Sequence, residues 1–185
     1  VNFGNEKMSK SLGNVVLAKD AIEKYGGNVM RLLILETHYR APVSFTEETV
    51  QSTKNELDKI QKVFNQLAVA IQVHHGDLKS GTANVDDFLA AMADDLNTSN
   101  ALAALFEKVK LANVELRKNP INLQEISNIF ASLSAMLDVL GIVLDVPVLS
   151  PELEKIYTEY LRLKAEKKFE ESDKLRNVLM ENKII

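Results

Sequence analysis

Cysteine and tryptophan are absent from the 185 residues, and only four prolines and seven glycines occur. Without cysteine the chain forms neither a disulfide nor a thiolate metal site, which permits a cytoplasmic setting. Nowhere does an apolar run approach the roughly 20 residues needed to cross a bilayer. The start carries no leader pattern, so a membrane is not an expected partner. Scarce helix breakers beside abundant Leu, Ala, Glu and Lys point to a mainly α fold. The hydrophobic share of 46% is that of a globular chain rather than a disordered one. Val1 in first place fits a piece of a longer protein.

The net charge of −4 is unevenly spread. Residues 1–40 carry six Lys/Arg against four Asp/Glu, residues 41–150 carry eight against fourteen, and residues 151–185 carry eight of each. An acidic middle is a poor footprint for a polyanion. Nucleic-acid contacts, if any, belong at the two ends of the chain.

Residues 1–14 read as a loop. An amphipathic helix follows over 17–25, Gly26-Gly27 stops it, and Asn28 is placed to cap a second helix. The apolar residues Val29, Met30, Leu32, Leu33, Ile34 and Leu35 go nearly round that helix, which predicts burial on more than one side. It ends near His38-Tyr39-Arg40, before Pro42. Thr46 with Glu47-Glu48 reads as the start of a long helix. Val50, Leu57, Phe64 and Ile71 then recur at heptad spacing, with Ile60 and Leu67 as a second row, giving a helix of about 42 Å. His74-His75 reads as its frayed end rather than a metal site, because neighbouring helical side chains diverge.

Further on, Asp86-Asp87 opens a short helix through Phe88, Leu89 and Met92. Asp94-Asp95-Leu96-Asn97-Thr98-Ser99 could hold an acid/base pair or a metal, but these residue types more often end one helix and cap the next. A helix over 101–117 should bury Leu102, Leu105, Phe106, Val109 and Val114. The next, over 123–140, should bury Ile126, Ile129, Phe130, Leu133, Leu137 and Leu140, with Gly141 stopping it. Residues 145–150 read as a linker, and Ser150-Pro151-Glu152 as a helix start. A hairpin over 152–165 and 169–182 leaves Lys164, Lys167, Lys168, Lys174 and Arg176 available for phosphate. Ile184-Ile185 resembles the start of a strand.

The stretch with the clearest chemistry is Lys7-Met8-Ser9-Lys10-Ser11, before Leu12-Gly13-Asn14. Two cations and two hydroxyls on one short segment suit a polyphosphate whose charge grows during a reaction. The run resembles the KMSKS signature of class I aminoacyl-tRNA synthetases. Three more stretches narrow the likeness: His38-Tyr39-Arg40 before Phe45-Thr46-Glu47-Glu48, Asp94 to Thr98 before Ala101-Leu102-Ala103-Ala104-Leu105-Phe106, and Phe169 to Arg176. In this order they resemble the C-terminal part of a cysteinyl-tRNA synthetase.

That resemblance implies three parts: the end of a catalytic domain with connecting helices over 1–45, an antiparallel helical bundle of the DALR type over 46–144, and the start of a small anticodon-binding domain over 150–185. It implies ATP-dependent activation of cysteine and transfer to tRNA(Cys) by a monomeric, cytoplasmic enzyme. By the motif match, Lys10 and Lys7 are the catalytic cations on ATP, and Met8, Ser9 and Ser11 complete the ATP contacts. The family's zinc has no ligands in this chain, and its His-Ile-Gly-His motif is absent, so the piece is expected to be inactive alone. The alternatives are a cysteine:amino-sugar ligase of thiol biosynthesis and a non-catalytic tRNA-binding helical module.

Overall fold

The structure is a computed structural model that describes residues 2–3, 6–7, 9 and 15–185, with the backbone alone at 2–3 and 6–7. Among the described residues the chain is mainly helical, with eight α-helices and three strands of two residues. None of these helices is long and apolar enough to cross a membrane. Two compact units can be separated. One comprises Val1–Ile60, Val85–Val109 and Ser134–Val143, and the other Gln61–Asn84, Lys110–Leu133 and Leu144–Ile185.

In the first unit, α1 (Ala18–Tyr25) stops at Gly26, whose φ of 89° is open to a residue without a Cβ. From there α2 (Gly27–Leu35) begins at once. Asn28 is therefore already inside the helix and does not cap it. Its amide instead pairs with the backbone of Val143, Nδ2 donating to the carbonyl at 2.6 Å and the Val143 N–H donating to Oδ1 at 3.2 Å. Val29, Leu32 and Leu33 are buried but Ile34 is 55% exposed, so α2 buries one broad face, not its whole circumference. Ala21, Val29, Leu33, Phe45 and Val50 form a core edged by Val16, Tyr25, Met30 and Leu57.

Strand β3 (Ser44–Phe45) leads into α3 (Glu47–Val73). Thr46 caps that helix, and the cap is reciprocal: Thr46 Oγ1 accepts from the Thr49 N–H at 3.1 Å, and Thr49 Oγ1 accepts from the Thr46 N–H at 2.9 Å. Helix α4 (Asp86–Ala93) buries Phe88 completely and leaves Leu89 half exposed. The 94–97 turn separates it from α5 (Thr98–Glu115), capped by Asn97 through its Oδ1 and the Asn100 N–H. Along α5, Leu105, Val109 and Ala112 are buried in i, i+4, i+3 steps. Val114 falls outside that stripe and is exposed, whereas Glu115 is buried and takes the Lys118 ammonium at 2.7 Å.

In the second unit, Phe64 and Phe130 stack at 4.6 Å, so the remainder of α3 packs on α6 (Leu123–Leu140). All six expected apolar residues of α6 are buried. The 77–85 loop lies on α6 through Thr82 N–H to Asn128 Oδ1 at 2.9 Å and Asn84 N–H to Ser132 Oγ at 2.9 Å. Gly81 comes so close that an added Cβ would collide with the Ser127 carbonyl. Residues 145–150 are no free tether. Gln61 donates to the Asp145 carbonyl, and Gln72 both donates to the Pro147 carbonyl and accepts from the Leu149 N–H. An extended segment has no internal partners, and α3 supplies them. Ser150 caps α7 (Pro151–Ala165), and α8 (Phe169–Glu181) returns against it. Ile184 starts no strand; it is buried with Leu179 and Val69.

Replacing Gly81 by alanine should destabilise the fold by about 1–3 kcal/mol in denaturant titration, because backbone must yield to the new methyl. The control is Gly27→Ala, where nothing lies within 4 Å. It should be neutral or stabilising by up to about 1 kcal/mol.

Candidate functional site

Lys7, the first residue of the lysine–serine run, lies in a small sheet. Strand β2 (Glu6–Lys7) pairs antiparallel with β1 (Asn2–Phe3), Asn2 opposite Lys7 and Phe3 opposite Glu6. Strand β1 pairs in parallel with β3, Asn2 beside Ser44 and Phe3 beside Phe45. The first residues are thus not wholly a loop, and two-residue strands are too short to leave a period in sequence. Lys7 ends β2, and Ser9 is half-buried. Met8, Lys10 and Ser11 lie outside the described residues.

Strand β3, one edge of that sheet, is tied to the helices beside it. Thr49 Oγ1 contacts the Ser44 carbonyl at 3.2 Å, and the Tyr25 ring meets Phe45 edge-on at 6.0 Å. Glu47 Oε1 accepts from Lys24 Nζ at 2.8 Å and from the Tyr25 hydroxyl at 2.7 Å. Those bonds lower the Glu47 pKa, that from Lys24 most. The Lys24 ammonium is in turn held above its ordinary range by the bond to Glu47. The folded Glu47 pKa being depressed, the interaction favours the fold above the ordinary carboxylate range and fades as pH falls through the depressed value.

A second cluster joins two stretches that the sequence offers separately. Asp95 Oδ1 accepts from the Tyr39 hydroxyl at 2.8 Å, and its Oδ2 lies 3.1 Å from Arg40 Nη2 and 3.9 Å from His38 Nε2. Arg40 Nε donates to the Tyr39 hydroxyl at 3.0 Å, and the His38 and Tyr39 rings stack at 4.6 Å. The bond to Asp95 raises the Tyr39 pKa, since a neighbouring carboxylate favours the protonated phenol. Asp95 neither pairs with Asp94 as an acid/base couple nor caps α5. Nothing in the spacing could reveal its partners, 55 to 57 residues upstream. Beside this cluster Ser99 donates to the Glu36 carbonyl at 2.9 Å, and Thr53 donates to Glu36 Oε2 at 3.0 Å. Glu36 Oε1 is buried without a partner among the described residues, and burial pushes that carboxyl up.

In the second unit a hollow of about 400 Å³ is lined by Lys62, Tyr160, Lys164, Phe169 and Arg176, among others. Lys164 stands 5.7 Å from the Tyr160 ring, and Phe169 is 61% exposed. Of the five cations expected for phosphate, Lys164 and Arg176 meet there. Lys168 pairs with Glu166 at 2.8 Å instead, and Lys167 and Lys174 are exposed outside the lining. Lys62, on α3, is the cation that sequence reading missed.

Zinc does not fit this chain. There is no cysteine, and among the described residues no three His, Asp or Glu side chains are grouped to hold a metal.

Residues 1–55 match the family described as the tRNA synthetases class I (C) catalytic domain, and residues 87–145 match the DALR domain. The chain is 35% identical over 191 residues to a cysteine–tRNA ligase of Pediococcus pentosaceus, covering 100% of this chain and 41% of the relative. It is 32% identical over 196 residues to the ligase of Brevibacillus brevis and 34% over 195 residues to that of Oceanobacillus iheyensis, covering all of this chain and 42% of each relative. Over its whole length the chain is similar to cysteine–tRNA ligases. It spans about two fifths of the length of the relatives it matches. Within the family frame the lysine–serine run and His38-Tyr39-Arg40 fall in the catalytic match, and Asp95 falls in the DALR match.

Lys24→Ala should raise the Glu47 pKa toward its ordinary range in an NMR titration. Asp95→Asn should lower the Tyr39 pKa, read from the pH dependence of tyrosine absorbance.

Proposed function

We propose that the chain is part of a cysteine–tRNA ligase that activates cysteine with ATP and transfers it to tRNA(Cys). The supporting observation is the Lys7–Ser11 run within a class I catalytic match, its first residue Lys7 in a strand tied through β1 to the buried Phe45. In the activating step the cysteine carboxylate attacks the α-phosphorus of ATP, and pyrophosphate leaves with growing negative charge. Lys10 binds the phosphates and stabilises that leaving charge, and Lys7 assists as a second cation. Ser9 and Ser11 add hydroxyl or backbone contacts, and Met8 shapes the segment beside the adenine. A pair of cations brought over the phosphates strengthens its hold as the charge develops, which is what lowers the barrier.

The chain contributes one jaw of the active site. It holds no His-Ile-Gly-His run and no cysteine, so it does not catalyse the reaction by itself, and no step here passes through zinc. We divide it into the end of the catalytic domain over 1–45, a tRNA-facing helical bundle over 46–144, and the start of an anticodon-binding domain over 150–185. The hollow of Lys62, Lys164 and Arg176 beside Tyr160 and Phe169 supplies charge and stacking faces for RNA. A monomeric, cytoplasmic enzyme is the proposed setting. A cysteine:amino-sugar ligase is disfavoured by the charged α7–α8 hairpin, for which a small acceptor has no use.

In the ligase that contains this chain, Lys10→Ala should slow ATP–pyrophosphate exchange by about 10²–10³-fold, the scale of losing one donor to a developing anion. An unchanged rate would overturn the assignment. Lys164→Ala with Arg176→Ala should weaken tRNA binding and flatten its salt dependence by about two phosphate contacts, leaving exchange intact. Equal loss of exchange and tRNA binding would contradict the role of the hollow.

A further inference from the structure

The cluster on Asp95 has a position that its exposed chemistry alone does not explain. Residues 38–42 connect α2 to β3, and Arg40 precedes Ser44 by four residues. Among the described residues, the hydrogen bonds and ion pairs that leave this segment all end on Asp95. The remaining bonds here are local: Arg40 N–H to His38 Nδ1 at 3.3 Å and Ala41 N–H to the His38 carbonyl at 2.8 Å. From the segment the chain passes directly into β3, which pairs with β1, which pairs with β2. Lys7 is the last residue of β2. A continuous run of covalent and ladder connections thus leads from Asp95, in the DALR match, to the base of the lysine–serine run, in the catalytic match.

The backbone at Asp95 supports a positional role. Asp95 and Leu96 both have φ of 53°, a left-handed conformation that a bulky leucine rarely adopts. Leu96 is 57% exposed, so no core packing rewards the strain. Bonds from Leu96 N–H to the Met92 carbonyl and from Asn97 N–H to the Ala91 carbonyl, both 3.2 Å, hold the turn in place. Its visible result is a carboxylate presented to Tyr39 and Arg40. Strain kept by surrounding bonds at a site of no packing value is the pattern of a functional constraint.

We propose that Asp95 is a positioning residue for Lys7: by holding Tyr39 and Arg40 it fixes the segment that delivers β3, and through β3 and β1 the strand that ends at Lys7. This rests on the ligase reading above for its reaction, though not for its mechanics. Asp95 touches no substrate; it acts through the segment it holds.

The test uses Asp95→Gly and Asp95→Asn in the ligase that contains this chain. Glycine accepts the left-handed turn without strain, so the variant keeps its fold and loses only the carboxylate. Asp95→Gly should lower kcat for ATP–pyrophosphate exchange about tenfold, the scale of a sub-ångström misplacement, with KM for cysteine within about twofold. Its melting temperature should be unchanged or higher. Asp95→Asn keeps an acceptor for Tyr39 and should fall between. Amide hydrogen exchange should quicken at residues 2–3, 6–7 and 44–45 in Asp95→Gly, with the middle of α3 unaffected. The proposal stands only if kcat and strand protection both fall while the melting temperature holds. An unchanged kcat, unchanged protection, or a parallel loss of melting temperature each overturns it. An inactive wild type would overturn the ligase reading instead, and hydrogen exchange would then decide the mechanical link by itself.

Discussion

The apolar rows of α3 impose the constraint on which the rest of the chain depends. A helix of 27 residues is about 40 Å long. It carries nine buried apolar residues, from Val50 to Ile71, four of them fully inaccessible. Each large side chain among them is worth about 1.5–3 kcal/mol only when covered. Val50 is covered within the first unit, beside Phe45 and Leu33. Phe64 is covered within the second, by Phe130. Both units therefore draw their cores from one helix, and its reciprocal threonine cap sets where that helix begins.

Polar side chains then fix what apolar burial leaves free. Hydrophobic contact is non-directional and tolerates small slides, whereas a hydrogen bond fails within a fraction of an ångström. Asn28 on Val143, Gln72 on the 147–149 backbone, and Thr82 and Asn84 on α6 each tie an irregular segment to a regular one. The cluster of Tyr39, Arg40 and Asp95 belongs to the same class. Such exposed pairs contribute little to global stability. Their effect is geometric, and it bears on the short sheet that holds Lys7.

Much of this was legible before the structure. The face of α6 follows from its 3.6-residue period, and all six expected residues are inside. The starts at Thr46 and Ser150 follow from cap chemistry. The errors have two causes. Val114 and Ile34 are apolar and fall near the right spacing, yet they point to solvent, because periodicity reports a stripe and not its edges. Asn28 has the right chemistry for a cap, but the cap position falls on Gly26, two residues too early for it.

Neighbours within a few positions set the helices, the caps at Thr46 and Ser150, and the charge and hydroxyl content of the lysine–serine run. Long-range packing is what turns Asp95 to Tyr39 and Arg40, brings Lys62 into a hollow with Lys164 and Arg176, and joins β2 to β3 through β1. Those pairings span from a few to more than a hundred residues of chain. No local propensity encodes them. They follow from which faces must be buried together, and that becomes decidable only when every helix has found its cover.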